Sequence, residues 1–200
     1  MTFSYDGNGG TPSLFVQAAN TWYNLRDTYI VRFVAVGGRK YLPLGDPSLS
    51  MFSTFAELES YILDNRDCGI VHVHLVPRDP GASTPRDAAD SLVASLGFRP
   101  ARDHWETIGR NDAQRIISHI LHQDLAYDSP MIRRETSDHI AERFTALFDE
   151  FDSHFFTNCT LDILKPSGFS WHPITQSTME CAVVIVDDDN AGLILVEDED

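Results

Sequence analysis

The chain has 200 residues, 42% of them hydrophobic and 22% charged, a composition that can fill one globular core and excludes a disordered segment. Aspartate and glutamate number 30 against 15 lysines and arginines, a formal net charge of −15 at pH 7, which argues against electrostatic binding to nucleic-acid or lipid phosphates and in favour of basic partners. No run approaches the roughly 20 apolar residues of a membrane span, residues 1–10 lack the basic start and apolar run of a signal peptide, and Cys68, Cys159 and Cys181 form no CxxC pair; a cytoplasmic location with reduced thiols is expected.

In chain order, residues 1–13 are rich in glycine, serine and asparagine and are expected to form a flexible N-terminal arm ahead of a single domain over 14–200. Residues 28–36 (TYIVRFVAV) are largely β-branched and aromatic, and Gly37-Gly38 turns them into 39–44, which predicts an N-terminal β-hairpin. Thr54 and Glu57 stand at capping-box spacing, with Phe55, Leu58, Ile62 and Leu63 recurring on one face, so a helix is expected over 54–65. Residues 70–76 (IVHVHLV) read as a strand closed by Pro77, and the prolines of 77–85 as a loop. A second short helix is expected over 87–96, stopped by Gly97.

Over 112–127, Ile116, Ile117, Ile120, Leu121 and Leu125 repeat at three and four residues, and Ser129-Pro130 then offers a cap and a first-turn proline. The helix that follows carries Ile132, Ile140, Phe144, Leu147, Phe148 and Phe151, either continuously or restarting at Ser137. A helical hairpin over 112–151 results. Beyond it, 160–164 is a candidate strand, 165–173 a Pro/Gly loop, and 180–186 with 193–196 flank a turn at 187–192 as a second β-hairpin. The expected fold class is α+β: a single domain with an N-terminal β-hairpin, helices packed on a mainly antiparallel sheet, a helical hairpin and an acidic C-terminal β-hairpin.

Charge is concentrated in the acidic C-terminal part, 149–200, which holds twelve carboxylates and one cation, Lys165. The expected hairpin sets Asp187, Asp188 and Asp189 at one end of a strand pair and Glu197, Asp198, Glu199 and Asp200 at the other, with Asp149, Glu150 and Asp152 at the end of the preceding helix. Carboxylates held on rigid elements can imitate a phosphate array and occupy an Arg/Lys groove. A solvated tail that only confers solubility is the plainer alternative. Trp171, between Ser170 and His172, is the candidate aromatic anchor beside these carboxylates; closure of the core under its loop is the other reading.

His72 and His74, two apart on a strand, share a face, as do His119 and His122, three apart on a helix. Together they could supply four nitrogens to zinc or another transition metal, with Asp124, Asp79 or His104 as alternatives, and an open position on that metal would activate water for hydrolysis. No HExxH, GxSxG or phosphate-binding glycine loop occurs, and 187–192 lacks the ligand spacing of an EF-hand. Residues 90–105 (DSLVASLGFRPARDHW) resemble the late helix-to-strand passage of acetyltransferases of the GNAT superfamily; that family's pyrophosphate-holding glycine loop has no counterpart upstream, where 76–83 reads VPRDPGAS.

The expectation drawn from these residues is a non-catalytic binding protein, without cofactor, that inhibits a basic nucleic-acid-acting protein or nucleoprotein complex. DNA-mimicking anti-defence proteins, anti-CRISPR-like proteins among them, and immunity proteins paired with toxins share this charge logic. Direct contact with nucleic acid or membrane is not expected. The alternatives are a metal-dependent hydrolase built on the histidines and a structural or assembly module.

Overall fold

The computed structural model describes the backbone of three strands near the N-terminus, and residues 52–164 and 169–199 with their side chains. The chain divides into two compact units, Met1–Leu42 and Pro43–Asp200. In the first, β1 (Thr2–Ser4), β2 (Phe15–Ala18) and β3 (Thr21–Asn24) form an antiparallel sheet in the order β1-β2-β3, with Phe3 opposite Val16 and Val16 opposite Tyr23. Strand β1 falls within the segment expected as an arm. The hairpin expected over 28–44 lies outside the described residues.

The second unit is built on a five-stranded sheet whose neighbours all run antiparallel. Its strands are β4 (Ile70–Pro77), β5 (Glu106–Ile108), β6 (His154–Thr157), β7 (Met179–Val186) and β8 (Asn190–Asp198), in the order β4-β8-β7-β6-β5. Among the described residues, four α-helices accompany it: α1 (Phe55–Asn65), α2 (Pro85–Ser95), α3 (Arg110–His122) and α4 (Arg134–Thr145). The fold is therefore α+β, as the sequence indicates.

Strands β7 and β8 are apolar over 181–186 and 191–196 because both faces of the sheet are covered there. Cys181, Val183, Ile185, Ile194 and Val196 join a core with Leu58 and Ile62 of α1, Ile116 and Ile120 of α3 and Phe144 of α4. The alternate residues Ala182, Val184, Leu193 and Leu195 meet Ala89, Leu92 and Val93 of α2 on the other face. Strand periodicity thus sorts one sequence onto two cores. Gly192 belongs to this packing: a Cβ there would lie 2.5 Å from Phe148 Cζ, so the absence of a side chain is what admits the ring.

Local chemistry sets the element ends. Thr54 and Glu57 close the expected capping box, the Thr54 hydroxyl accepting from Glu57 N and the Glu57 carboxylate from Thr54 N. Helix α2 begins earlier than expected, because Thr84 and Asp87 form a second box with Pro85 in the first turn, where its missing N–H costs nothing. Helix α3 stops at His122 because Asp124 Oδ1 accepts from Ala126 N and Tyr127 N at 2.9 and 2.7 Å, offering the backbone a turn in place of another helical bond. Helix α4 starts at Arg134 and ends at Thr145, so the expected span to 151 is shortened. The segment at 160–164 is a 3-10 turn, Leu161–Leu164, instead of the expected strand. Strands β5 and β6, three and four residues long, carry too little periodicity to be read in advance. Among the described residues, no helix is long and apolar enough to cross a membrane.

Candidate functional site

The β7–β8 turn joins the end of the α4 segment to form an acidic rim. The Asp187 carboxylate is buried and accepts from Asp149 N at 3.0 Å, Asp189 N at 2.9 Å and Asn190 N at 2.6 Å. Asp149 in turn accepts from Phe151 N and Asp152 N. Two acidic clusters that lie 35 residues or more apart in sequence are thereby clamped together, and Glu150, Asp152, Asp188 and Asp189 remain exposed around the clamp. The neighbouring cations are spent on carbonyls: Arg110 donates to Thr145 O and Asp149 O at 2.7 and 2.6 Å, and Arg78 to Asp187 O at 3.2 Å. Arg78 also lies 3.5 Å from Asp188, whose side chain is 89% exposed, a pairing that water screens.

The other end of the hairpin, roughly 25 Å away at about 3.3 Å per strand residue, does not form a matching exposed cluster. Asp198 is fully buried and takes a two-pronged pair from Arg66, Nη1 to Oδ1 at 3.0 Å and Nη2 to Oδ2 at 2.7 Å, plus Leu125 N at 2.8 Å. It is a latch between the α1 end and β8, and as a partner-binding candidate it is corrected. Asp187, a buried clamp, is corrected likewise. Glu197 points to the α2 face, largely buried, and accepts from His72 Nε2 at 2.7 Å and Ser177 Oγ at 2.5 Å. Glu199 is exposed and accepts from Thr178 Oγ1, and Asp200 lies outside the described residues. Trp171 is half-buried, bridged to Cys159 and tilted 5.3 Å from Phe169 against the helical core, so it closes the core and is no exposed anchor.

Burial opposes ionisation of Glu197, but hydrogen bonds from Ser177, His72 and Thr175 outweigh it and hold the carboxyl below its usual 4.5. A group whose folded pKa is depressed contributes stability above its unfolded value and loses it as pH falls through the folded one. Glu197→Gln is therefore expected to flatten the stability-versus-pH curve below about pH 4.5, measured by urea denaturation across the acid range. An unchanged acid limb would mean that this carboxyl is not depressed.

The histidines do not converge. His72 and His74 lie on the α2 face, stacked with ring centres 6.4 Å apart, while His119 and His122 belong to α3 on the opposite face. His122 Nδ1 already meets Ile132 O at 2.7 Å. Burial, then His72, lowers the pKa of His74; burial, then Arg134, lowers that of His119. The sheet separates the pairs, which removes the four-nitrogen metal centre. Of the alternatives, Asp124 caps the turn after α3, Asp79 accepts from Gly81 N, and His104 stacks on His172 at 3.9 Å. Among the described residues, one group brings three ligand-type atoms within 4.8 Å of one another: Cys68, Asp124 and Asp198. There Arg66 supplies the positive charge already, and the Cys68 thiol donates to Asp124 at 3.3 Å, an interaction that pushes its pKa up. A cation would have to displace a guanidinium.

Beside Glu197 opens a cleft of about 450 Å³ lined by Gly97, Phe98, Arg99, Ile174, Thr175 and Gln176. Its wall is shaped by Glu180, fully buried, which accepts from Asn158 Nδ2 at 2.7 Å, Ile174 N at 2.6 Å, Thr175 N at 2.8 Å and the Thr175 hydroxyl. Ser177 donates its hydroxyl to Glu197, which also accepts from His72. Arg66 and Glu180 escaped the sequence reading because their roles depend on contacts 132 and 22 residues away. The one available signal was Arg66 itself, the single cation between Lys40 and Arg78.

The fold and these contacts define a three-layer domain with an antiparallel central sheet and one carboxylate-lined end. Comparison with protein-family models, with curated proteins and with solved structures returns no match.

Proposed function

We propose that the protein is a non-catalytic binding protein of the cytosol whose acidic rim docks on a basic, nucleic-acid-acting protein or complex and inhibits it, in the manner of anti-defence DNA mimics or toxin immunity proteins. The observation that carries this reading is the clamp at Asp187, which ties together the two backbone bends that bear Glu150, Asp152, Asp188 and Asp189 in a chain of charge −15. Fixed carboxylates keep their spacing when a cationic groove approaches, and the net field speeds encounter. The reading moves the contact from the whole C-terminal part to this rim, because Asp198 and Glu197 are engaged internally.

The variant Glu150→Gln, Asp152→Asn, Asp188→Asn, Asp189→Asn leaves the Asp187 clamp intact. In capture from native-host lysate, the wild type is expected to retain a basic nucleic-acid-acting protein, to release it at raised salt and to inhibit its activity. The variant is expected to associate about tenfold more slowly. Equal capture and equal inhibition by both would refute the rim as the contact.

A further inference from the structure

We propose that the outer edge of β4 accepts an extended, lysine- or arginine-bearing segment of the partner as a sixth strand, a proposal that rests on the charge-binding reading and gives it a second contact. Strand β4 ends the sheet order, and its eight residues make it the long edge, against three in β5 at the other. Arg78 N donates to Asp189 O at 2.9 Å, one step beyond the Pro77–Asn190 pair. Antiparallel alternation then turns the backbone of Val76, His74, His72 and Ile70 toward β8 and leaves the N–H and C=O of Val71, Val73 and Leu75 facing outward. Among the described residues nothing bonds to them.

Sheet edges are commonly blunted by lysine, internal proline or a bulge. Between Ile70 and Val76 this strand has none of these, and Pro77 stands only at its end. The surroundings are apolar and acidic. Ile70 and Leu63 are 57% and 51% exposed. Tyr61 of α1 packs on Phe52, which stacks on His139 of α4, and Phe55 on Phe144, while Leu63 stays exposed near the helix end that leads into β4. Asp64 in the last turn of α1 and Asp67 in the segment that leads into β4 are exposed and bring negative charge to its entrance, and Arg66, the cation between them, is buried against Asp198.

Charge selects the occupant. A second copy would bring another −15 and the same carboxylates to the seam, whereas a basic strand gains both the backbone ladder and opposite charge. Alternate side chains of such a strand would fall on the α1 side and on the His72–His74 side.

The test uses the full chain and two synthetic octapeptides of alternating lysine and valine, identical except that one is N-methylated at alternate residues and cannot complete a ladder. Binding is followed by fluorescence anisotropy and amide hydrogen exchange. The unmethylated peptide is expected to bind at least about tenfold more tightly than the methylated one and to slow exchange at Val71, Val73 and Leu75. Val71→Pro, which removes one outward N–H while keeping the β8 ladder, is expected to weaken it similarly; if that variant fails to fold, the methylated peptide still decides. Equal binding of both peptides would overturn the edge proposal while leaving charge binding intact, and binding of neither would overturn it as well, with the rim variant still testing the wider reading. Amides already slow before peptide is added would show the edge occupied by the chain's own residues 1–51, or, if protection grows with concentration, by a second copy; either result overturns the proposal.

Discussion

Replacing Asp198 by alanine is expected to destabilise the second unit by about 3–5 kcal/mol, the cost of leaving a buried guanidinium without its counter-charge. Both side chains of the Arg66–Asp198 pair are inaccessible to water. Arg66 also reaches Ile120 O at 3.1 Å and the Cys68 carbonyl, and Asp198 holds Leu125 N, so the pair ties the end of α1 and the turn after α3 to the last strand. Gly69 completes the arrangement: its φ of +68° suits glycine, and a Cβ would lie 2.0 Å from Asp198 Oδ1. Arg66→Met is expected to be comparably destabilising, because it strands the carboxylate instead. The double variant Arg66→Met, Asp198→Leu should recover much of the loss, since neither partner is then left charged and alone. Urea denaturation of the four proteins checks this as a cycle. Additive losses would show that the pair is not coupled.

Glu180→Ala is the second large effect, about 1–3 kcal/mol for the fully buried Ile174 N, which loses its partner, with a further loss at Asn158 Nδ2, which keeps its bond to His172 O. All four of its neighbours are donors, two to each oxygen. Glutamine is therefore no conservative replacement. Its amide nitrogen would face donors on one side, and Glu180→Gln is expected to keep well under half of the stabilisation. Since Ile174 and Thr175 line the cleft, the same variants should loosen that wall, read as faster amide exchange at 174 and 175. A glutamine variant as stable as the wild type would mean that the carboxylate is not needed in its charged form.

Much of the second unit was legible because its signals are local. The Thr54–Glu57 box, the β-branched run of β7 and the 3.6-residue period of α3 each declare themselves within a dozen residues. What escaped was decided by distant partners. Asp198 and Asp188 look alike in sequence, yet strand alternation and Arg66 bury the first while the turn exposes the second. Trp171 sits in a loop and still packs inward, and the four histidines share helical or strand spacing without sharing a face of the sheet. The rim, conversely, was only half visible: both of its clusters stood out, but the bond from Asp149 N to Asp187 that joins them is a tertiary fact.

The most direct test of the account is the association rate of the wild-type chain with its captured basic partner as a function of ionic strength. The account predicts a steep fall in association rate with added salt, a smaller change in dissociation rate, and a flatter salt dependence for the rim-neutralised variant. A rate indifferent to salt, and equal for the two proteins, would contradict it and leave the carboxylates of the rim with solubility alone.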